Sequence, residues 1–429
     1  MRGWRQAVDF LEPRESSYWI TRFLFFRFLG LIYLVAFLVI IDQFLPLCGE
    51  NGLYPVAQFL GRFRDSTGGS TPSGFLRLPS IFWFHHGDTF LMVMASVGLG
   101  LALLLLLGFA NVPQIVALWL IYMSFVHVGQ LFYGYGWETM TLEATFLAIF
   151  LCPLGRGGPF SRLKPSKIMM WWYRWMVFRV MFGAGMIKLR GDPRWDDLTC
   201  LLYHYETQPI PHVLSWYAHN FPTFMHHLGV QANHFVELIV PWFLFAPRRF
   251  RITAGLLTMV FQGCLILSGN LSWLNWLTIA ICIPCFDDRF LSRFMPKKVV
   301  EQAVCSRTQA VHPAGRRGVI YGLSVLLLIL SVMPVLNMAS TQQVMNTSFD
   351  SLHVMNTYGA FGSIGRVRHE IVLEGTQDKV LDPLTEWKEY EFHGKPGDPA
   401  RRPAWFSPYQ HRIDWQIWFA AMQRPDDNP

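Results

Sequence analysis

Six of the chain's fourteen histidines fall within "YHYETQPIPHVLSWYAHNFPTFMHHLGVQANHF", residues 203–235. That density suggests a metal centre, because neutral imidazole is a common ligand. The spacing argues otherwise. His212, His219 and His226 are seven residues apart, so on one helix they would share a face yet stand two turns, about 10–11 Å, from one another. One ion cannot bridge that gap. Pro222 interrupts such a helix in any case, and the adjacent His226 and His227 project in different directions. The segment reads better as a Pro-bent, aromatic-rich element at a membrane–water boundary. It is either a packed loop or a partner-binding surface, whose candidate contacts are Tyr203, His204, Tyr205, Glu206, His212, Trp216, Tyr217 and His219.

His234 and Glu237, spaced i and i+3, are expected on one helix face at the start of an apolar run. Lys188 in "GMIKLRGDPRW" and His127 lie in or beside other apolar runs, as do Glu138 and Glu143. Ionisable groups at membrane depth are usually paired and often functional. Lys188, His234, Glu237 and His127 therefore form the candidate catalytic set, with Lys188 or His234 as general base. The competing reading makes them polar contacts between helices. Of the seven cysteines, Cys48 and Cys200 fall on the same expected non-cytosolic side and are the candidate disulfide pair. "CIPC" at 282–285 reads as buried thiols rather than a redox pair. Asn346-Thr347-Ser348 is the candidate glycosylation sequon, whereas Asn270-Leu271-Ser272 sits in a tight turn unsuited to modification. No P-loop, dinucleotide fingerprint, HExxH or GxSxG motif occurs, and the residues call for no metal or cofactor.

These groups need elements to position them. Hydrophobic residues make up 52% of the 429 and charged residues only 15%, against roughly 25% charged in a soluble chain. Apolar runs recur at 23–45, 89–110, 113–132, 138–153, 168–187, 235–246, 252–267, 273–286 and 319–336. The fold class is a polytopic α-helical membrane protein with about nine candidate transmembrane or re-entrant helices; the shorter runs are the re-entrant candidates. A tight Asn111-Val112-Pro113 connection separates the second run from the third. The net charge of +7 lies in short connections between the runs. That is the positive-inside pattern, and it argues against nucleic-acid binding.

With residues 1–22 in the cytosol, alternation through an odd number of spans puts "GRGGPFSRLKPSK", "PRRFR" and the basic connection 287–318 on the same side. The region 23–336 would form the membrane domain, with a luminal loop at 189–234. Residues 337–429 would be luminal. Residues 1–22 carry both signs of charge and no A-x-A-like cleavage site, so no cleavable signal peptide is expected. "GRFRDSTGGSTPSGFLRLPS" at 61–80 reads as a flexible connection. In the C-terminal region "RHEIVLEG" and "EWKEYEFHG" read as strands. Asp414 is expected to cap a last helix whose Trp415, Trp418, Phe419 and Met422 form an apolar stripe.

Five stretches together resemble the lipase maturation factor family of endoplasmic-reticulum membrane proteins. They are "RFLFFRFLGLIYLVAF", "GDPRWDDLTCLLYHYETQPIPHVLSWYAHNFP", "ANHFVELIVPWFLFAPRR", "QGCLILSGNLSWLNWLTIA" and "NTYGAFGSIGRVRHEIVLEG". The resemblance implies a non-enzymatic, chaperone-like glycoprotein of that membrane. Its partners would be secreted lipase clients such as lipoprotein lipase, luminal folding helpers and membrane lipid. Members of the family continue beyond the position of Met422, so this chain is expected to be a C-terminally short form with an incomplete luminal region. A more distant resemblance to vitamin-K-dependent carboxylase-type proteins supplies the alternative, a membrane-embedded enzyme.

Overall fold

A computed structural model describes residues 16–155 and 157–422. Five helical stretches are long and apolar enough to cross a membrane: Trp19–Cys48, Asp88–Leu107, Thr223–Phe245, Arg248–Ile266 and Arg316–Ala339. We label the helices the argument uses in chain order: α1 (Trp19–Cys48), α2 (Asp88–Leu107), α3 (Val112–Val128), α4 (Gly136–Ile149), α5 (Lys167–Gly191), α6 (Leu201–Thr207), α7 (Val213–His219), α8 (Thr223–His234), α9 (Arg248–Ile266), α10 (Leu274–Cys282), α11 (Lys297–Thr308), α12 (Arg316–Leu330) and α13 (Arg412–Met422).

The expectation of nine spans is thus reduced to five long apolar helices, with α3 and Leu274–Cys285 apolar but shorter. Physical reasons differ case by case. Helix α4 has 14 residues, about 21 Å at 1.5 Å per residue, and falls short of roughly 30 Å of hydrocarbon. It is buried on nearly every face, Glu138 and Glu143 included. Helix α5 has the length, 25 residues, but carries Arg174, Arg179 and Lys188 in the interior of the bundle. The run expected to begin at 235 instead continues α8, through a π-helical turn at Phe235–Ile239 and a 3-10 stretch at Val240–Phe245 containing Pro241. The last part of the proposed loop 189–234 therefore belongs to a membrane-length helix.

Local signals explain the turns. Gly108 ends α2 in the left-handed region at φ 101°, and the Asn111 side chain accepts from the Gln114 N–H to start α3 with Pro113 in its first turn. Segment 61–80 is not a loose connection. It forms two short helices, Val56–Ser66 and Thr71–Arg77, joined through Gly68 and Gly69 at positive φ. Helix α1 lies along α2, so close that a side chain at Gly30 would meet the Leu106 backbone nitrogen at 2.5 Å.

The basic connections gather at one end of the bundle. Asp288 accepts the Trp19 and Ile20 N–H groups at 3.0 and 2.8 Å, capping α1. Arg22 donates to the carbonyls of Ser161 and Leu163, both at 2.5 Å. Asp287 receives Arg248 at 2.5 and 2.8 Å and Arg251 at 3.4 Å. Of the other basic residues in the expected pattern, Arg2, Arg5, Arg14 and Arg156 lie outside the described residues.

The C-terminal region packs against the opposite end. The two expected strands shorten to β1 (Glu374–Gly375) and β2 (Lys388–Glu389), paired antiparallel. Asp414 does not cap α13. It lies within the first turn and accepts the Gly394 and Lys395 N–H groups at 2.6 and 2.8 Å, tying that loop to the helix. The apolar stripe finds its partner within the same chain: Trp415 packs on Tyr135 and Trp137, with ring centroids 5.7 and 5.1 Å apart. Phe419 and Met422, lower on the stripe, stay exposed.

Candidate functional site

Three of the four candidate catalytic residues converge around Trp195. Lys188, near the end of α5, donates to both carboxylate oxygens of Glu237 at 2.6 and 2.8 Å and to Asn233 Oδ1 at 2.9 Å. Its ammonium lies 4.7 Å from the Trp195 ring centroid. His234 and Glu237 do not act from one face as their spacing suggested. The π-helical turn that begins at Phe235 shifts the register, and Glu237 pairs with Asn233, which donates at 3.1 Å. His234 Nε2 instead donates to the Trp195 carbonyl at 2.9 Å. Asn233 was missed at the sequence level. All three hydrogens of the ammonium are thus engaged by buried partners. This arrangement binds α5 to α8 and to the π-helical turn that follows it.

His127 stands apart. Its Nδ1 donates to the Pro79 carbonyl at 2.7 Å, leaving Nε2 to accept from His353 Nε2 at 2.9 Å. This pair lies on a cleft of about 660 Å³ shared with Arg77, Gln130, Asn346 and Asp350. Burial, with no offsetting charge, pushes His353 down to about 4.

Two buried clusters outside the candidate set join the C-terminal region to the helices. In the first, Glu143 of α4 pairs with Arg179 of α5, and the same carboxylate accepts from the Asn356 N–H at 3.2 Å, Asn356 Nδ2 at 3.0 Å and the Tyr358 hydroxyl at 2.8 Å. Arg179 also donates to the Asn356 carbonyl at 2.6 Å. Glycines on α5 let this segment lie flat against it: a side chain at Gly183 would meet the Tyr358 carbonyl oxygen at 2.7 Å, and one at Gly191 the Gly362 oxygen at 2.4 Å. In the second cluster, Arg412 of α13 pairs with Glu138 at 2.9 Å, donates to the Phe132 carbonyl at 2.5 Å and lies 3.5 Å from the Tyr133 ring centroid. Tyr122 donates to the other oxygen of Glu138. Burial alone would lower the Arg412 pKa, but Tyr133 and Glu138 outweigh it and hold the guanidinium more firmly charged than usual. Glu138 and Glu143 were visible in the sequence as intramembrane acids; their partners were not.

The histidine segment is helical and bent, as Pro222 required: α6, α7 and α8 follow one another, with Pro222 immediately before α8. Two of its proposed surface contacts are interior. His212 is fully buried; its Nδ1 accepts the Leu214 N–H to start α7, and its Nε2 donates to the Ile266 carbonyl at 3.0 Å. His204 is buried against Phe361, at 4.9 Å between ring centroids, and burial followed by the Lys188 charge lowers it to about 4. These rings fill the interior because each meets a backbone or aromatic partner there. Tyr203 and Tyr205 are half-buried, His219 lies 3.7 Å from the exposed Glu206, and Trp216 and Tyr217 face outward. Among the described residues no group of three or more His, Cys, Asp or Glu side chains could hold a metal ion.

The candidate disulfide is not formed. Cys48 and Cys200 are free thiols in separate cores: Cys48 packs at the end of α1 near the Gly129 carbonyl, and Cys200 packs with Trp195 and Val230. Cys282 and Cys285 are likewise buried and free. Asn346 is exposed, while Asn270 is buried and bonded to residues 404, 406 and 407.

Residues 20–293 match the lipase maturation factor transmembrane domain, and residues 354–429 the lipase maturation factor C-terminal domain. The chain is 43% identical to lipase maturation factor 1 of Bos taurus, over 97% of its own length and 77% of that protein. It is 44% identical to lipase maturation factor 1 of Homo sapiens, over 96% and 76%. Identity to lipase maturation factor 2 of Rattus norvegicus is 28%, over 93% and 72%. No solved structure matches the chain. With matches running through both the helical bundle and the C-terminal region docked on it, the chain belongs to the lipase maturation factor family.

Proposed function

We propose that this protein assists the maturation of secreted lipases, lipoprotein lipase among them, as a non-enzymatic factor of the endoplasmic-reticulum membrane. The basic end of the bundle with the N-terminus faces the cytosol, and the C-terminal region docked at the other end faces the lumen. The names of its relatives support the lipase role, and the charge segregation supports the orientation. One structural observation carries the client-binding reading. Trp216, Tyr217, Phe221 and Phe224, at the α7–α8 bend, are 64, 55, 49 and 67% exposed. A run of outward aromatics of this kind suits a partly folded client, whose apolar surface is still accessible.

The test is rescue of secreted lipase activity in cells lacking their own factor. Serine substitution of Trp216, Tyr217 and Phe224 is expected to reduce secreted activity while leaving the level of the factor unchanged. Full rescue by that variant would remove the surface from consideration. The Lys188–Glu237 pair supports a structural role over base chemistry, because its donors and acceptors are already engaged. Accordingly, the paired substitution Lys188→Met with Glu237→Leu should retain rescue at matched expression, whereas an enzyme using Lys188 would lose it.

A further inference from the structure

The chain between α1 and α2 leaves the bundle and returns to it at one level. Helix α2 has 20 residues, about 30 Å at 1.5 Å per residue, which matches the thickness of the hydrocarbon. It runs antiparallel to α1: Gly30 faces Leu106, Gly98 faces the Phe37 ring, and the Glu50 N–H donates to the Asp88 side chain at 2.8 Å. Where these two helices span, Asp88 therefore marks one edge of the hydrocarbon. Residues 51–87 form an excursion that begins and ends at that edge.

The excursion is held beside the helices, not above them. The Ile81 N–H donates to Ser124 Oγ at 3.0 Å, and Phe82 packs on Phe125 with ring centroids 4.8 Å apart. Ser124 lies four residues, about 6 Å, before Val128 at the end of α3. Ser70 starts the short helix Thr71–Arg77 by accepting the Ser73 N–H at 3.3 Å. Gly74 then lets that helix lie on the Trp83 ring, where a side chain would meet Trp83 Cη2 at 2.9 Å. This docking places Phe75 beside Phe84, with ring centroids 6.2 Å apart. Phe84 is 82% exposed and Leu76 75%, so an apolar patch points out of the protein only four residues before Asp88. The preceding helix, Val56–Ser66, is amphipathic: Val56 and Leu60 are buried, while Gln58, Arg62 and Arg64 are exposed. Between Tyr54 and Gly87 the chain carries three arginines and one acid, Asp65.

We propose that residues 54–87 form an interfacial anchor lying in the phospholipid surface, with Phe75, Leu76 and Phe84 inserted below the headgroups and Arg62, Arg64 and Arg77 beside their phosphates. The inference rests on α1 and α2 spanning the membrane and holds for either orientation. Two features favour lipid as the occupant. The contacts of Ile81 with α3 and of Asp88 with the end of α1 fix the patch at the level where the hydrocarbon ends, so its rings meet the bilayer before any soluble partner. The excess of arginine complements headgroup phosphate, and the long arginine stems reach it while the rings stay in the acyl layer. Such an anchor fixes the depth of the α1–α2 pair.

The experiment uses the full chain at one copy per phosphatidylcholine nanodisc, with the exposed Cys264 and Cys305 replaced by serine. A nitroxide is attached through Phe75→Cys or Phe84→Cys. Its collisions with oxygen, which partitions into lipid, are compared with those of a water-soluble nickel chelate. Val325→Cys, on the exposed side of α12, sets the lipid value, and Lys379→Cys, in the C-terminal region, sets the aqueous value. The labels at 75 and 84 are expected to match position 325, favouring oxygen about fivefold more than position 379 does. Ratios matching position 379 overturn the proposal. They do so even if an added lipase, or a second copy in multi-copy vesicles, then shields the labels, since lipid alone must cover the patch. Shielding from both reagents in single-copy discs also overturns it, because the rings would then be packed within the protein. The thermal midpoint of each labelled chain reports its folding, and Leu76→Cys serves where a phenylalanine substitution lowers it.

Discussion

Replacing Glu143 with alanine should release the segment around Asn356 from the bundle. The carboxylate is fully buried and serves Arg179, the Asn356 N–H and side chain, and the Tyr358 hydroxyl. Its removal leaves an arginine in the interior that retains the Asn356 carbonyl as an acceptor but has no counter-charge. Breaking a buried pair in this way costs about 3–5 kcal/mol, before counting the neutral donors left unpaired. At 1.4 kcal/mol per factor of ten, that raises the open population of the segment by about 10² to 10³-fold or more. Amide hydrogen exchange at residues 354–360, measured against amides of α1, reads that population directly. Exchange within threefold of wild type in Glu143→Ala would refute the reasoning. A further check separates charge from packing. Glu143→Leu combined with Arg179→Met orphans no charge and should recover much of the protection; a double variant as open as the single one would show that burial of an unpaired arginine was not the cause.

Acidification should weaken the fold through His204 and His353. Burial holds both near 4 in the folded chain, against about 6.5 unfolded. The unfolded chain therefore binds more protons between those values, and stability falls as pH drops through the window, by about 2 kcal/mol per histidine at pH 5. Thermal midpoints at pH 7.5 and 5 should differ, and His204→Phe or His353→Gln should shrink the difference; pH-independent midpoints would count against buried neutral rings. Arg412→Gln should detach α13 while the bundle stays folded, seen as faster exchange at 412–422 only, with a cost of about 3–5 kcal/mol from the stranded Glu138. Gly183→Val should displace residues 356–362, because its Cβ would stand 2.7 Å from the Tyr358 carbonyl oxygen; unchanged protection there would contradict the close approach. In secretory-pathway expression, Asn346→Gln should abolish an endoglycosidase-sensitive mobility shift and Asn270→Gln should not, since Asn346 is exposed whereas Asn270 is buried.

Several parts of this arrangement were legible without a structure. The long apolar runs announced membrane-length helices, since backbone polarity must be satisfied internally wherever lipid replaces water. Asn111-Val112-Pro113 marked a tight connection between two apolar runs, and Pro222 a break, because turn chemistry and ring sterics act over a few residues. Glu138 and Glu143 stood out as acids in apolar surroundings. Their partners did not: Asn356 is 213 positions from Glu143, and no local period links them. The His234–Glu237 spacing misled because a single π-helical turn redirects Glu237 toward Asn233 and Lys188. The Cys48–Cys200 pairing failed for a related reason, since a shared side does not bring two thiols within bonding reach when each belongs to a different core.

The sequence by itself determined the helical membrane character, the gathering of basic charge into a few connections, and family membership through motifs that span the chain. Tertiary structure decided which charges meet: Glu143 with Arg179, Lys188 with Glu237, Glu138 with Arg412. It also decided that the C-terminal region is latched into the helices rather than appended to them. The physical reason is that apolar patterning and capping are local and additive along the chain, whereas a buried charge is tolerable only beside a specific partner, and packing alone brings that partner from a distant part of the chain.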